Sequence, residues 1–302
     1  MEDRRGIFES VKDGVVGTIK ATGDVAKAVV DTVSGTLSHT IKGTGAVGTS
    51  LIETISDVGR AAIRGTVDVS SDVGSAAKGA VVGALRGTRE TSVEALDAIT
   101  ATAGSVVKGT SEVAGDLGKA GKGAIEGAIT GAKEVGLAVT DATAAAATGV
   151  LKSTSEVLAG AGKTGQSFFE ASSGVLRSAI RAVVEVGGDV GAGAKGAVLG
   201  ILEGSRLSGK EALETISATA GTIVKATSEV SGDIAKAAKG AVEGSIAGAK
   251  EISLDATEAA SAAANGALQA AGEISGQAVQ QVRKAVSGTI AGVKVVLKEP
   301  FK

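Results

Sequence analysis

Along the first half of the chain, apolar and charged positions each recur every eleven residues. Stepping by eleven from Ile7 gives Ile7, Thr18, Val29, Thr40, Leu51, Ala62, Val73, Ala84, Ala95, Val106, Leu117, Ala128, Val139, Val150 and Ala161, thirteen of fifteen apolar. The same step from Glu9 runs through Lys20, Asp31, Lys42, Glu53, Arg64, Ser75, Arg86, Asp97, Lys108, Lys119, Thr130, Asp141 and Lys152 to Lys163, thirteen of fifteen charged. Eleven residues close three turns at about 3.67 residues per turn, near the natural 3.6, so a helix keeps one face in register under this rule. At roughly 98° per residue the two rows lie about 160° apart, one polar and one apolar. The pattern predicts amphipathic helix in a single phase over the 155 residues from Glu9 to Lys163. Segments such as AVVDTVSGTLSHTI are rich in the Val and Thr that favour strands, but they lack period-two alternation, and the reading stays helical.

Longer repeats lie over this period. KGAVVGALRGTRE begins at Lys78, KGAIEGAITGAKE at Lys122, KGAVLGILEGSRL at Lys195 and KGAVEGSIAGAKE at Lys239. The first and third blocks are 117 residues apart, and ATAGSVVKGTSEVAGD from Ala101 matches ATAGTIVKATSEVSGD from Ala218 at the same offset, marking a duplicated half. Within each half the offset is 44 residues, four elevens. The organisation expected is an N-terminal helical segment at 1–77, a first repeat half at 78–194 and a second at 195–302. Between Lys163 and Glu203 the charged row slips by seven residues, two helical turns, which implies helical continuity or a hinge that respects the face. The bend is expected at 187–196, where five of ten residues are Gly; Phe168 and Phe169 just before it read as plugging a local core gap, with anchoring of a change of partner as the alternative.

Composition narrows the architecture. Of 302 residues, 46 are Gly and only one is Pro, with no Cys, Trp or Tyr and four Phe. A core of Val, Ala, Ile and Leu without bulky aromatics suits thin, closely packed elements. Gly inside helices costs about 0.8–1 kcal/mol each relative to Ala, on the order of 40 kcal/mol for the whole set, so such helices need packing to offset it. The placement fits that need. Gly79, Gly83 and Gly87 recur as Gly123, Gly127 and Gly131, as Gly196, Gly200 and Gly204, and as Gly240, Gly244 and Gly248. These four small-residue ridges are expected to be helix-packing surfaces, in the manner of a glycine zipper. The fold class expected is all-α: long amphipathic helices with eleven-residue repeats, packed as a coiled coil or bundle. As one helix the chain would reach roughly 450 Å, shortened by folding back near Gly187.

The chemistry-bearing residues point away from catalysis. The only His is His39, read as a solvated helix position, and without Cys there is no His–Cys metal set or Ser-His-Asp arrangement with support. GAGKTG around Lys163 lacks the Gly at 157 that a phosphate loop requires, because that residue is Val157. GTGAVG at Gly43 and GAGAKG at Gly191 match GxGxxG at the frequency chance gives so Gly-rich a chain, with no strand before either. Glu112 and Asp116 read as neighbours on a solvated helix face rather than an acid–base pair. No catalytic, cofactor-binding or metal residue is assigned, and no cofactor is expected. The formal net charge of -2 gives no field to steer nucleic acid. The N-terminal MEDRRGIFESVKDG has no apolar core of a secretory signal. The longest uncharged stretch, Ala259–Gly272, is 14 residues, short of a membrane span. The expected location is the cytoplasm, with peripheral contact to a membrane or granule surface as the alternative.

The segment TIKATGDVAKAVVDTVSGTLSHTIKGTGAVGTSLIETI resembles, in composition and period, the eleven-residue repeats of perilipins and synucleins, which coat lipid surfaces. The resemblance implies a small-residue apolar face able to lie in a membrane interface. It departs from those families in its mean hydropathy of +0.27 and its sparse charges. Two functions compete. One is a non-enzymatic structural protein whose helices self-assemble into a homo-oligomer or filament, with itself as partner and no small-molecule substrate. The other is a peripheral lipid-surface or storage-granule coat, with a glycine-zipper pore as a less favoured third.

Overall fold

The computed structural model describes residues 2–44, 49–69, 72–89, 95–162, 165–205 and 207–297. Among these it forms thirteen helices: α1 (Glu2–Thr22), α2 (Val25–Thr44), α3 (Thr49–Val67), α4 (Val73–Gly87), α5 (Ala95–Glu112), α6 (Leu117–Val135), α7 (Val139–Gly160), α8 (Gly165–Glu185), α9 (Val190–Ser205), α10 (Gly209–Glu229), α11 (Ile234–Glu251), α12 (Ala256–Ile274) and α13 (Gly276–Val286). A two-residue antiparallel hairpin, β1 (Thr289–Ile290) with β2 (Val293–Lys294), follows. The fold is all-α.

The single-phase helix expected from Glu9 to Lys163 is corrected: that stretch is broken into separate helices of 15 to 22 residues. The breaks have a local cause. Helices end where the chain enters the left-handed region, at Gly23, Ala114, Gly136, Gly187, Ser231 and Ser253. At several of these ends an amide reaches back five residues, as in Gly115 to the carbonyl of Thr110 and Gly232 to that of Thr227, both 2.8 Å, the closing bond of a Schellman turn. The next helix is then opened by an aspartate whose carboxylate accepts from a first-turn amide: Asp24, Asp72, Asp116, Asp189, Asp233 and Asp255. The hydrogen bond to Ser75 also holds the Asp72 carboxyl below its ordinary pKa.

The eleven-residue rows survive these breaks because helix plus turn restarts at nearly constant spacing. α4 and α6 begin at Val73 and Leu117, α5 and α7 at Ala95 and Val139, α9 and α11 at Val190 and Ile234, each pair 44 residues apart. The seven-residue slip therefore falls across the turns either side of α8, not within a continuous helix. Of the glycines at 187–196, only Gly187 and Gly188 lie in a turn; Gly191, Gly193 and Gly196 are inside α9.

Every helix packs against the one before and after it and, in most cases more extensively, against those two positions away. Odd-numbered helices thus stack in one layer and even-numbered helices in another. The 117-residue duplication carries Val73 of α4 to Val190 of α9, Leu117 of α6 to Ile234 of α11, and Val139 of α7 to Ala256 of α12. That is a shift of five helices, an odd number, so each copy lands in the opposite layer. One helix with its turn is consequently the interchangeable unit, able to serve on either side of the core.

Between the layers lies a thin apolar interior of Val and Ala, in which the largest fully buried side chains are Leu and Ile. The buried threonines do not signal strand. Thr66, Thr102, Thr110, Thr154 and Thr227 each donate their hydroxyl to the carbonyl four residues earlier, at 2.7–2.9 Å, which satisfies them inside a helix.

Ala114, Ser231 and Ser253 adopt φ of 53–54°, a region that costs a residue with Cβ about 1–2 kcal/mol. Gly136, 117 residues before Ser253, already occupies the equivalent turn. Replacing Ala114, Ser231 or Ser253 by Gly is expected to raise the unfolding free energy by about 1 kcal/mol each, read from urea denaturation midpoints at unchanged m-value.

Candidate functional site

The twelve ridge glycines sit at the contacts between helices two apart. Gly79 and Gly83 of α4 face α2: a methyl at Gly79 would stand 2.5 Å from the carbonyl oxygen of Ala26, and one at Gly83 2.9 Å from that of Val30, while Gly87 would meet the Leu37 Cβ at 2.8 Å. Gly123, Gly127 and Gly131 of α6 face α4, where a methyl at Gly127 would lie 2.6 Å from the Lys78 oxygen and one at Gly123 would overlap the Gly74 carbonyl. Gly196, Gly200 and Gly204 of α9 meet the carbonyls of Ala144, Thr148 and Lys152 on α7. Gly240 and Gly244 of α11 meet those of Gly191 and Lys195 on α9, and Gly248 meets Leu202. At most of these positions a backbone occupies the space a Cβ would need. Gly65, Gly149 and Gly266 make the same approach to Lys12, Thr100 and Ser217; isolated in the sequence, they carry no GxxxG signal.

Ion pairs edge these contacts. Arg64–Glu112 (2.7 Å), Lys78–Glu126 (3.9 Å), Arg86–Glu134 (2.8 Å), Lys108–Glu156 (2.7 Å), Arg181–Glu229 and Lys225–Glu273 (2.6 Å) all join residues 48 apart. In each, the cation is on the earlier helix and the acid on the helix two later. Two such pairs eight residues apart on both α4 and α6 mean that these helices run parallel. Lys122–Glu185 and Lys152–Glu203 (2.9 Å) continue the series at wider offsets. The eleven-residue charged row contained Arg64, Arg86, Lys108 and Lys152; Glu112, Glu134 and Glu156, the partners of the first three, lie off that row and were not legible from it. The Arg181 guanidinium holds the Glu229 carboxyl below its ordinary pKa, and hydrogen bonding to Glu203 raises that of Lys152 against the opposing effect of burial.

Two surface grooves cross the stacks, one of about 340 Å³ over α3, α5 and α7 and one of about 480 Å³ over α8, α10 and α12. All twelve residues lining the second are the 117-residue counterparts of residues lining the first. Arg60, Asp97, Gly104, Lys108, Gly149 and Glu156 become Arg177, Glu214, Gly221, Lys225, Gly266 and Glu273, and Ile52 becomes Phe169. Because the duplication exchanges layers, the twin grooves open on opposite faces. Their floors are Gly, Ala, Ser and Thr, and their rims carry both signs of charge, several already paired. A nucleophile held by a base is absent from both linings.

The remaining sequence candidates are dispersed. Glu112 ends α5 and pairs with Arg64, whereas Asp116 caps α6, so they do not share a helix face as expected. His39 is exposed on α2. Gly191 lies in α9 with a turn and α8 before it, while Lys163 and most of GTGAVG fall outside the described residues. Among the described residues no cluster of three or more metal-ligating side chains occurs, and no helix is long and apolar enough to cross a membrane. No protein-family model matches the chain, and no curated protein matches it.

Gly127→Ala is expected to destabilise by about 1–3 kcal/mol through overpacking against Lys78, whereas Gly174→Ala, exposed in mid-α8 with nothing within 4 Å of the added methyl, should stabilise by about 0.8–1 kcal/mol. Opposite signs in thermal or urea unfolding check the pair. The lowered pKa of Glu229 contributes stability above the ordinary glutamate value and loses it as pH falls through the folded-state value. The stability gap between wild type and Glu229→Gln should therefore shrink as unfolding is measured from pH 6 down to about pH 3.

Proposed function

We propose that this chain is a non-enzymatic structural protein whose Gly- and Ala-faced amphipathic helices, built on an eleven-residue repeat, pack on themselves and assemble with further copies of the chain. The observation that carries the reading is the seating of the ridge glycines on a neighbouring backbone: the sequence feature repeated most often serves helix-to-helix contact. On this reading the ridges act as glycine zippers, and a contact that the chain makes between its own helices can be made again between copies.

The lipid-coat alternative uses the same Val and Ala face, now covered in the core. Among the described residues the exposed large hydrophobics are Ile274 and Val296, so a lipid surface would have to open the array to reach apolar area. Far-UV circular dichroism in buffer, then with anionic phospholipid vesicles, tests the choice. Strong helix in buffer that vesicles leave unchanged is the expected result; a coil that becomes helical only on vesicles would overturn it in favour of the coat.

A further inference from the structure

The two ends of the helix array differ. At the C-terminal end α13 lies on α11 and α12, and its Ala278, Val282 and Val286, with Ile290 and Val295 beyond, are buried in the core cluster. The segment after the hairpin is fastened to α12, the amide of Val296 donating to the Ser261 hydroxyl at 3.0 Å. At the other end the outward side of α1 and α2 is uncovered. Asp31, Gly35 and His39 of α2 stand 44 residues before Ser75, Gly79 and Gly83, of which the two glycines meet α2 itself. Of that α4 face α2 keeps one glycine, Gly35, with His39 where α4 has Gly83, and nothing lies within 4 Å of a methyl placed at Gly35, nor at Gly6 or Gly17 of α1. A groove of about 710 Å³ runs here, lined by Gly6, Ile7 and Ser10 of α1 and by Gly35, Thr36 and His39 among others of α2.

We infer that this edge binds the same edge of a second copy, giving a closed two-fold dimer. The inference rests on the self-assembly reading above and names its face and stoichiometry. A covered C-terminal end leaves no free partner for head-to-tail growth, and an isologous contact closes on itself. Two helices of about 30 Å, roughly 20 Å wide together, offer some 600 Å² per copy, about 1,200 Å² in all and within the range of specific interfaces. Charge also fits. When α2 crosses its symmetry mate antiparallel at Gly35, the residues four before and four after that point meet, which sets Asp31 of each copy opposite His39 of the other. The imidazole N–H donates to the carboxylate twice, once on each side of a glycine where the backbones can approach.

Sedimentation equilibrium of the full chain at tens of micromolar is expected to give about 58 kDa, twice the 29.1 kDa of one chain. Gly35→Leu, which adds bulk only to open space in the single chain, should leave the circular dichroism unchanged and return the mass to that of a monomer. Asp31→His and His39→Asp should each weaken the dimer by about tenfold, and together restore it, since the double variant re-creates the pairing with roles exchanged. A wild-type dimer indifferent to Gly35→Leu, or growth beyond two copies, would overturn this contact and leave self-assembly through another face standing. A monomer at every concentration would overturn both.

Discussion

Everything in this fold depends on how closely two parallel helices two apart in sequence can approach. At Gly127, Gly200 or Gly244 a neighbouring carbonyl occupies the volume of a Cβ, so the backbones themselves are the packing surfaces. That distance explains the composition. Helices set so close within each layer leave little width for the side chains they turn to the core, which are Val, Ala and an occasional Leu or Ile, and the scarcity of aromatics follows from a core with no wide space to fill. It also explains how a chain with so much helical Gly can be helical: the propensity loss is offset by contact between backbones, where Cα–H groups lie against carbonyl oxygens and dispersion is gained over the whole crossing.

A second consequence is the equivalence of the layers. Since α4, α6, α9 and α11 each present a glycine ridge to the helix two before and a Val- and Ala-rich side to the core, the same kind of helix serves in either layer. A duplication of five helices would disrupt a fold whose layers had different jobs. Here it places the α3/α5/α7 groove again over α8/α10/α12, on the other face, with its Arg, Lys, Gly and Glu residues in corresponding positions. Two faces with matching chemistry follow from an odd number of inherited units.

Much of this was legible in the sequence, and the rest was hidden for definite reasons. The sequence pattern predicted helix, as found, and the spacing of Gly79, Gly83 and Gly87 singled out residues that lie against α2. Chain reversals did not stand out, because helix plus turn spans close to two elevens and the rows run on as though unbroken. The signal lay in Asp24, Asp72, Asp116, Asp189, Asp233 and Asp255, each behind a small residue or Leu254 and each capping a helix; as members of a charged surface they looked like solvated positions. Ala114, Ser231 and Ser253 concealed their turns further, lacking the Gly that marks the equivalent Gly136. The Glu112–Asp116 pairing failed for the same reason, since a helix boundary falls between them. The twin grooves could not be read at all, being assembled from three helices spaced along the chain.

Small residues that allow close approach do not by themselves fix which turn of one helix meets which turn of the next. A GxxxGxxxG ridge has a four-residue period, so sliding a helix by one turn again presents Gly to the neighbouring backbone. The charges remove that degeneracy. At the observed offset of 48, Arg64 meets Glu112, Lys78 meets Glu126 and Lys108 meets Glu156. A one-turn slide changes the offset to 44 and brings Arg64 to Lys108, Lys78 to Lys122 and Lys108 to Lys152, replacing attraction by repulsion at each. Exposed pairs of this kind add at most about 1 kcal/mol apiece, too little to hold the array together. Their difference between registers, summed along two stacks, is what selects one alignment from several that the glycines would accept.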